Sequence, residues 1–263
     1  MKEIINSLNN YFDQWGTIIT IPDFLSEIED IFSKSFFSRE NSRLVFSVCP
    51  DDINRLDERK TVENALKENY GGEFNLGGLG AYPIAGLSGM IAASHNLPDD
   101  IKSEKRKAGN LLFYVSPHFG ILQQRELLYG KIIRPGQKKI TDSCGAIMGF
   151  LSALKTSGSS KTFIVPPDAD YLDISRFVLQ TELKSLFSEE IDKLLDITET
   201  NLQVAELFKL NYDLVLLKSK VMIDEFLKKE SFEGHIGVIG GLTVNLARED
   251  LFILKDLFFP KND

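Results

Sequence analysis

The residues best suited to chemistry in this chain are its two cysteines and one of its three histidines. Cys49 ends the apolar run VFSVC, His118 follows Pro117, and Cys144 precedes Gly145. Cysteine thiolates and histidine imidazoles are ligands that zinc prefers in proteins. We therefore predict that these three side chains converge on one zinc ion. Their spacing is too wide for a zinc finger, so the fold has to bring them together.

Three protein ligands are typical of a catalytic zinc, because the fourth tetrahedral position then remains for water. Zinc acidifies that water and yields a hydroxide nucleophile, which a neighbouring acceptor must orient. Asp51, two residues after Cys49, is a candidate for this acceptor. If a helix has begun by then, Arg55 lies one turn further on and keeps the carboxylate ionised. Asp51 and Arg55 are the predicted catalytic residues.

A purely structural interpretation of these residues also stays open. A lone buried cysteine often behaves as a small hydrophobe, and a lone histidine is often a hydrogen-bonded core residue. Asp51 and Asp52 together are typical of the start of a helix, where a carboxylate accepts from backbone N–H groups.

Two apolar runs predict the strands that must position the ligands. Leu44–Val48 ends at Cys49, and Asn110–Val115 ends just before His118. In α/β folds, molecules and ions bind beyond the carboxyl ends of such strands. The site can therefore exist only if the two strands lie close together in one sheet. A helix is predicted directly after the first strand, over residues 53–71.

The two ends of the chain have different patterns. Apolar residues recur every three or four positions within residues 1–40, which predicts two helices forming an N-terminal arm, with Pro22 in the first turn of the second. Near the C-terminus, Gly240 and Gly241 separate two apolar runs and predict a tight hairpin, with a further strand over Asp250–Phe259. Together these elements predict a single α/β domain over residues 1–263, with a mixed β-sheet flanked by helices.

The glycine-dense segment over residues 70–90 raises the question of a nucleotide-binding loop. Its run LGGLGAYPIAG has no lysine after the glycines and no clear GxGxxG frame. Glycines also allow close backbone approach. The segment therefore favours tight packing around a pocket over phosphate binding.

Composition restricts the class of protein. The net charge of −8 argues against a general nucleic-acid surface or attraction to an anionic membrane. Apolar runs are too short to span a bilayer, and the polar N-terminus does not have the pattern of a secretory signal. We expect a cytoplasmic protein in which both cysteines are free thiols or metal ligands.

Three ordered segments carry a resemblance to a known family: CPDDINR, YPIAGLSGMIAASHNLPDD and SPHFGI…GKIIRPGQKKITDSCGA. They resemble the low-carbon-dioxide-inducible protein B family, which is itself similar to β-class carbonic anhydrases in fold and zinc site. The resemblance covers residues 44–150, with a looser likeness near the C-terminus. It implies a β-carbonic-anhydrase-like fold with Cys49, His118 and Cys144 as zinc ligands.

The resemblance also implies an activity. Asp51 and Arg55 fall on the family's aspartate–arginine pair, although the arginine is further away than in the β-class pattern. The implied reaction is reversible hydration of carbon dioxide to bicarbonate, with zinc-bound hydroxide as nucleophile, in a homodimer. The family often has two adjacent histidines where this chain has His95 followed by Asn96, so no proton relay through a second histidine is implied. His95 itself is a candidate for support of the zinc ligands or for proton transfer, and the alternative is a hydrogen-bonded core histidine. The alternatives are a catalytically silent zinc-binding scaffold or inorganic-carbon sensor, and another zinc hydrolase.

Overall fold

The computed structural model describes residues 1–33, 37–70, 72–95, 109–166 and 172–260. The helices in chain order are α1 Lys2–Phe12, α2 Ile21–Ser33, α3 Val62–Tyr70, α4 Gly86–His95, α5 Gly145–Ser157, α6 Ile174–Leu186, α7 Ser188–Leu195 and α8 Thr200–Lys229. The strands are β1 Thr17–Thr20, β2 Ser42–Val48, β3 Glu73–Asn75, β4 Asn110–Ser116, β5 His118–Gln123, β6 Leu127–Tyr129, β7 Lys131–Ile132, β8 Thr141–Asp142, β9 Ile236–Asn245 and β10 Asp250–Phe258.

The main sheet is mixed, and its strand order is β1-β10-β9-β4-β2-β3, with β5 and β6 branching from β9. Strands β3, β2, β4 and β9 run parallel, whereas β10 and β1 are antiparallel additions at one edge. A small β7–β8 hairpin lies apart from this sheet. The predicted mixed sheet flanked by helices is confirmed.

The close approach of the two ligand-bearing strands is also confirmed. Strands β2 and β4 pair in parallel along their whole length, from Ser42 opposite Asn110 to Val48 opposite Ser116. Their carboxyl ends therefore lie side by side, and the residues that follow them face the same edge of the sheet.

Helices cover both faces of the sheet. Side chains that alternate along β4 divide between the two cores: Leu112 and Tyr114 belong to one, and Leu111, Phe113 and Val115 to the other. Helices α2 and α3 cover the first face, and α4 and α8 cover the second. Because both faces are buried, the parallel strands are nearly continuous apolar runs.

The N-terminal region contains its two predicted helices and one strand that the sequence pattern does not predict. Helices α1 and α2 bury Phe12 and Phe24 completely. Between them, β1 pairs with β10 from Thr17 opposite Leu254 to Thr20 opposite Leu251. Within the described residues, no helix combines the length and the apolar character needed to cross a bilayer.

The predicted hairpin at Gly240–Gly241 is wrong. Strand β9 runs straight through both glycines, and the chain reverses only between Asn245 and Asp250. Glycine is required at both positions because a side chain would clash with neighbouring atoms, and not because the chain turns there. A Cβ on Gly240 would lie 2.2 Å from the hydroxyl of Tyr212, and one on Gly241 would lie 2.1 Å from the carbonyl oxygen of Ile253.

The helix predicted directly after Cys49 begins later than expected. A short 3-10 turn over Asp52–Asn54 ends at Arg55, and α3 begins only at Val62. The intervening loop is held by Arg59, whose buried guanidinium donates to the carbonyl oxygens of Ile53 and Leu246. These charge-assisted bonds fix an irregular segment in which Arg59 is buried between the exposed residues Glu58 and Lys60.

Candidate metal centre

Three separate elements bring the candidate ligands together. Cys49 follows β2 directly, His118 begins β5 just beyond the end of β4, and Cys144 is the N-cap of α5. Pro117 separates β4 from β5, but β5 continues along β9 in the register of β4, since Val115 lies opposite Gly240 and His118 lies opposite Thr243. The carbonyl oxygen of Pro117 still accepts from the backbone N–H of Thr243, which fixes the start of β5.

The three side chains form a compact, buried ligand set. The Sγ atoms of Cys49 and Cys144 and a ring nitrogen of His118 lie within 4.8 Å of one another, and each residue is at most 2% exposed. Ligand atoms around a tetrahedral zinc are about 3.5–3.8 Å apart, so only a small contraction is needed to bind the ion. The buried Nε2 of His118 has no hydrogen-bond partner among the described residues. Donor types, spacing and this unpaired nitrogen all fit a zinc ion.

The protonation states of the three groups are interdependent. A hydrogen bond from the Cys144 thiol, together with His118, holds the pKa of Cys49 well below its usual range. That hydrogen bond and burial raise the pKa of Cys144. Burial alone would lower the pKa of His118, but the Cys49 thiolate raises it to about 9. Binding a cation therefore displaces protons from His118 and Cys144.

The other nitrogen of His118 is held by Asn245, the last residue of β9. The Nδ1 atom lies 2.6 Å from the Oδ1 of Asn245. Both residues are completely buried. A ring nitrogen that is fixed in this way leaves the opposite nitrogen directed at the ligand set.

A buried polar network surrounds Asn245. Its Nδ2 donates to Asn54 and to Asp250, each at 3.1 Å. Asp250 in turn accepts from Arg59 at 2.7 Å. No sequence pattern marks these residues as part of a site, and Asn245 stands out only as a polar residue at the end of the apolar run LTVN.

Asp51 lies at the exposed side of the ligand set and is bound by Arg134. The Nη2 of Arg134 donates to the Oδ2 of Asp51 at 2.6 Å, and the same oxygen is 3.9 Å from the Nε2 of His118. Burial raises the pKa of Asp51, whereas His118 and Arg134 oppose this effect. Asp51 also caps the following 3-10 turn by accepting from the N–H of Ile53.

The predicted pairing of Arg55 with Asp51 is wrong. The Nε of Arg55 donates to Glu63 at 2.8 Å. The prediction assumed a helix starting at Asp51, but the chain leaves the 3-10 turn at Arg55. Arg134, in the loop of the β7–β8 hairpin, makes the contact with Asp51 that was predicted for Arg55. Sequence spacing gives no sign of this long-range contact.

His95 does not lie at the ligand set. It ends α4 with a side chain 64% exposed, and its Nε2 is 3.5 Å from a carboxylate oxygen of Glu230. The prediction that His95 supports the zinc ligands is therefore wrong. His235 is exposed as well, whereas His118 is buried.

The fold and the ligand set together define a class: an α/β protein with a buried cysteine–histidine–cysteine site at the carboxyl edge of parallel strands. A model of the family described as limiting CO2-inducible proteins B/C beta carbonic anhydrases matches residues 18–261. The chain belongs to this family. No curated protein sequence matches the chain.

Solved structures of related proteins have the same fold. PtLCIB4, a homolog of the limiting CO2-inducible protein LCIB, aligns with a TM-score of 0.75 at 20% identity, covering 98% of this chain and 96% of that one. A mutant of PtLCIB4 aligns with a TM-score of 0.78 at 21% identity, covering 98% and 94%. LCIB itself aligns with a TM-score of 0.65 at 18% identity, covering 98% of both chains.

Proposed function

We propose that this protein is a zinc-dependent carbonic anhydrase, a lyase that hydrates carbon dioxide reversibly to bicarbonate. The observation that carries the proposal is the buried set of Cys49, His118 and Cys144 beside the Asp51–Arg134 pair. Membership of a family described as beta carbonic anhydrases supports the same reaction. When bound, zinc supplies Lewis acidity that lets water react near neutral pH.

Zinc is the proposed metal because of the donors. Two thiolates and one imidazole favour zinc over magnesium or calcium, which prefer oxygen ligands. With three protein ligands, one tetrahedral position stays open to solvent and substrate. A structural zinc would instead have four protein ligands, and the described residues supply only three at this position.

Asp51 is the proposed acceptor that orients the reacting water. Its Oδ2 lies 3.9 Å from the Nε2 of His118, one of the three candidate ligand atoms. The guanidinium of Arg134 favours the ionised carboxylate, which can accept a hydrogen bond from water. Because the pair is partly exposed, protons released at the site have a route to solvent.

Arg134 also connects the pair to the surface. It lines a groove of about 720 Å³ together with apolar residues that include Ile121, Ile133 and Leu246. An apolar groove suits the entry of a small uncharged gas, and a guanidinium at its wall suits the departure of an anion. The proposed substrate pair therefore matches both properties of this surface.

Stopped-flow measurement of carbon dioxide hydration, combined with metal analysis, tests the proposal. Protein containing one zinc per chain is expected to hydrate carbon dioxide well above the buffer rate, and Asp51→Asn is expected to lose most of that rate while it keeps the zinc. Zinc-loaded wild-type protein without any rate above buffer would contradict the proposal. It would favour a catalytically silent scaffold or inorganic-carbon sensor.

The proposed assembly is a homodimer, as the family resemblance implies. Sedimentation equilibrium should give twice the chain mass of 29.6 kDa. A monomer at micromolar concentration would contradict this part of the proposal.

A further inference from the structure

The amide of Asn245 has only one orientation that satisfies its surroundings. Its Nδ2 faces the Oδ1 of Asp250 and the Oδ1 of Asn54, and its Oδ1 faces the Nδ1 of His118. The carboxylate of Asp250 also accepts from Arg59 and from the N–H of Val62. With donors on both of its oxygens, Asp250 acts as an acceptor, so the group facing it must be the NH2 of Asn245.

This orientation decides which nitrogen of His118 carries a proton. The Oδ1 of Asn245 can only accept, so the Nδ1 at 2.6 Å must donate. In the opposite tautomer two lone pairs would face each other at that distance. Rotating the amide would then place its oxygen 3.1 Å from the carboxylate of Asp250. Both alternatives leave buried acceptors facing each other without a proton, which is costly.

The same network reaches a second ligand. Asn54 accepts from Asn245 through its Oδ1 and donates through its Nδ2 to the carbonyl oxygen of Cys49 at 3.3 Å. Asn54 and Asn245 are at most 2% exposed. The imidazole of His118 and the backbone of Cys49 are thus joined by two side-chain amides.

We propose that Asn245 is the positioning residue of the metal centre: it selects the Nδ1–H tautomer of His118 and so assigns Nε2 as the ligand atom. Arg59 and Asp250 act through Asn245 by fixing its amide, and Asn54 aligns Cys49 with the imidazole. This inference rests on the proposed function only in that the site holds a metal. It holds for any catalytic or non-catalytic use of that metal.

Nitrogen NMR on zinc-loaded protein labelled in its three histidines tests the tautomer directly. The expected spectrum of His118 has a protonated Nδ1 and a metal-bound, unprotonated Nε2. A metal-bound Nδ1 would overturn the inference. The measurement does not use catalysis, so an inactive protein with the expected spectrum would refute the proposed function and leave this inference standing.

Substitution of Asn245 gives a second test. Asn245→Ala should weaken zinc affinity about 10–100-fold in competition with a chromogenic chelator, and should let a second, Nδ1-bound form of His118 appear in the zinc-loaded protein. Asn211→Ala is the matched control, because Asn211 is equally buried and donates to the carbonyl oxygen of Gly80 away from the ligands. Unchanged zinc affinity in folded Asn245→Ala, or an equal loss in Asn211→Ala, would contradict a positioning role.

Discussion

The Nη2 of Arg134 donates to the Oδ2 of Asp51 at 2.6 Å, although 83 positions separate the two residues. The Nη1 of Arg134 donates to the hydroxyl of Thr141 and to the carbonyl oxygen of Asp142. One guanidinium therefore joins the loop after Cys49 to the hairpin that leads into Cys144. This contact orients a carboxylate and also brings two ligand-bearing segments together.

Replacing Arg134 is predicted to impair catalysis more than replacing Arg55. Arg134→Ala removes the guanidinium that donates to Asp51 through Nη2 and to the hairpin through Nη1, so kcat/KM for carbon dioxide hydration should fall about 10–100-fold. Arg134→Lys should recover only part of the rate, because lysine lacks the planar fork. Stopped-flow hydration with matched zinc content measures both effects.

The matched control for this comparison is Arg55→Ala. Arg55 pairs with Glu63, so its loss should lower thermal stability and leave the rate of the folded, zinc-loaded protein close to wild type. Loss of the hydration rate in Arg55→Ala, with the rate retained in Arg134→Ala, would show that Arg55 and not Arg134 supports Asp51.

Replacing a ligand cysteine is predicted to remove the metal. Cys144→Ser should reduce bound zinc from about one to about 0.1 per chain or less, because the serine hydroxyl is a poor zinc ligand. The adjacent Ser143→Ala is the control, since it loses only a hydrogen bond from the N–H of Gly120. Equal zinc contents in the two variants, determined by mass spectrometry, would refute the ligand assignment.

Glu63 is predicted to make stability depend on pH. Burial raises its pKa from 4.5 to about 7, although the hydrogen bond from Arg55 opposes the shift. The folded state then binds the proton more tightly, so the contribution of Glu63 to the unfolding free energy is highest below pH 4.5 and falls as pH rises toward 7. Such a shift corresponds to about 3 kcal/mol at most.

Urea denaturation of Glu63→Gln at pH 5 and pH 8 checks this linkage. The contribution of Glu63 that declines with pH is absent from the variant. The unfolding free energy of the variant minus that of wild type should therefore increase by about 2–3 kcal/mol from pH 5 to pH 8. Glu68→Gln, on the exposed face of the same helix, should follow the wild-type profile. An unchanged profile for Glu63→Gln would refute the assignment.

The close approach of Gly77 to β2 is predicted to be essential for stability. A Cβ at this position would lie 2.1 Å from the carbonyl oxygen of Val48, immediately before Cys49. Gly77→Ala should lower the unfolding free energy by about 2–4 kcal/mol. Gly149→Ala in α5 has open space and should be neutral or stabilising by up to about 1 kcal/mol. Equal effects in urea denaturation would contradict this account.

The strands and the ligands could be predicted because local signals mark them. Strands β2 and β4 are apolar runs of β-forming residues, and each is followed within two positions by a reactive side chain. Parallel pairing then places Cys49 and His118 at one edge of the sheet. Residue type, the adjacent Gly145 and the family resemblance predict Cys144, because the short strands before it have no clear periodicity.

The partners of these residues could not be predicted, for physical reasons. Arg134 and Asn245 reach the site through tertiary contacts, and a single polar residue in a loop or at a strand end carries no periodic signal. Local spacing favours Arg55 because it assumes a helix, whereas the loop held by Arg59 delays the start of α3. The sequence Gly240–Gly241 resembles a turn, but close contacts with the Tyr212 hydroxyl and the Ile253 backbone require these glycines.

An anomalous difference map at the zinc edge, from crystals of the purified protein, is the most direct test of the metal centre. One peak per chain should lie within bonding distance of the Sγ atoms of Cys49 and Cys144 and the Nε2 of His118. Bonding distances of about 2.3 Å to sulfur and about 2.0 Å to nitrogen are expected. A zinc-replete crystal with its peak elsewhere, or with no peak at these three residues, would contradict the account.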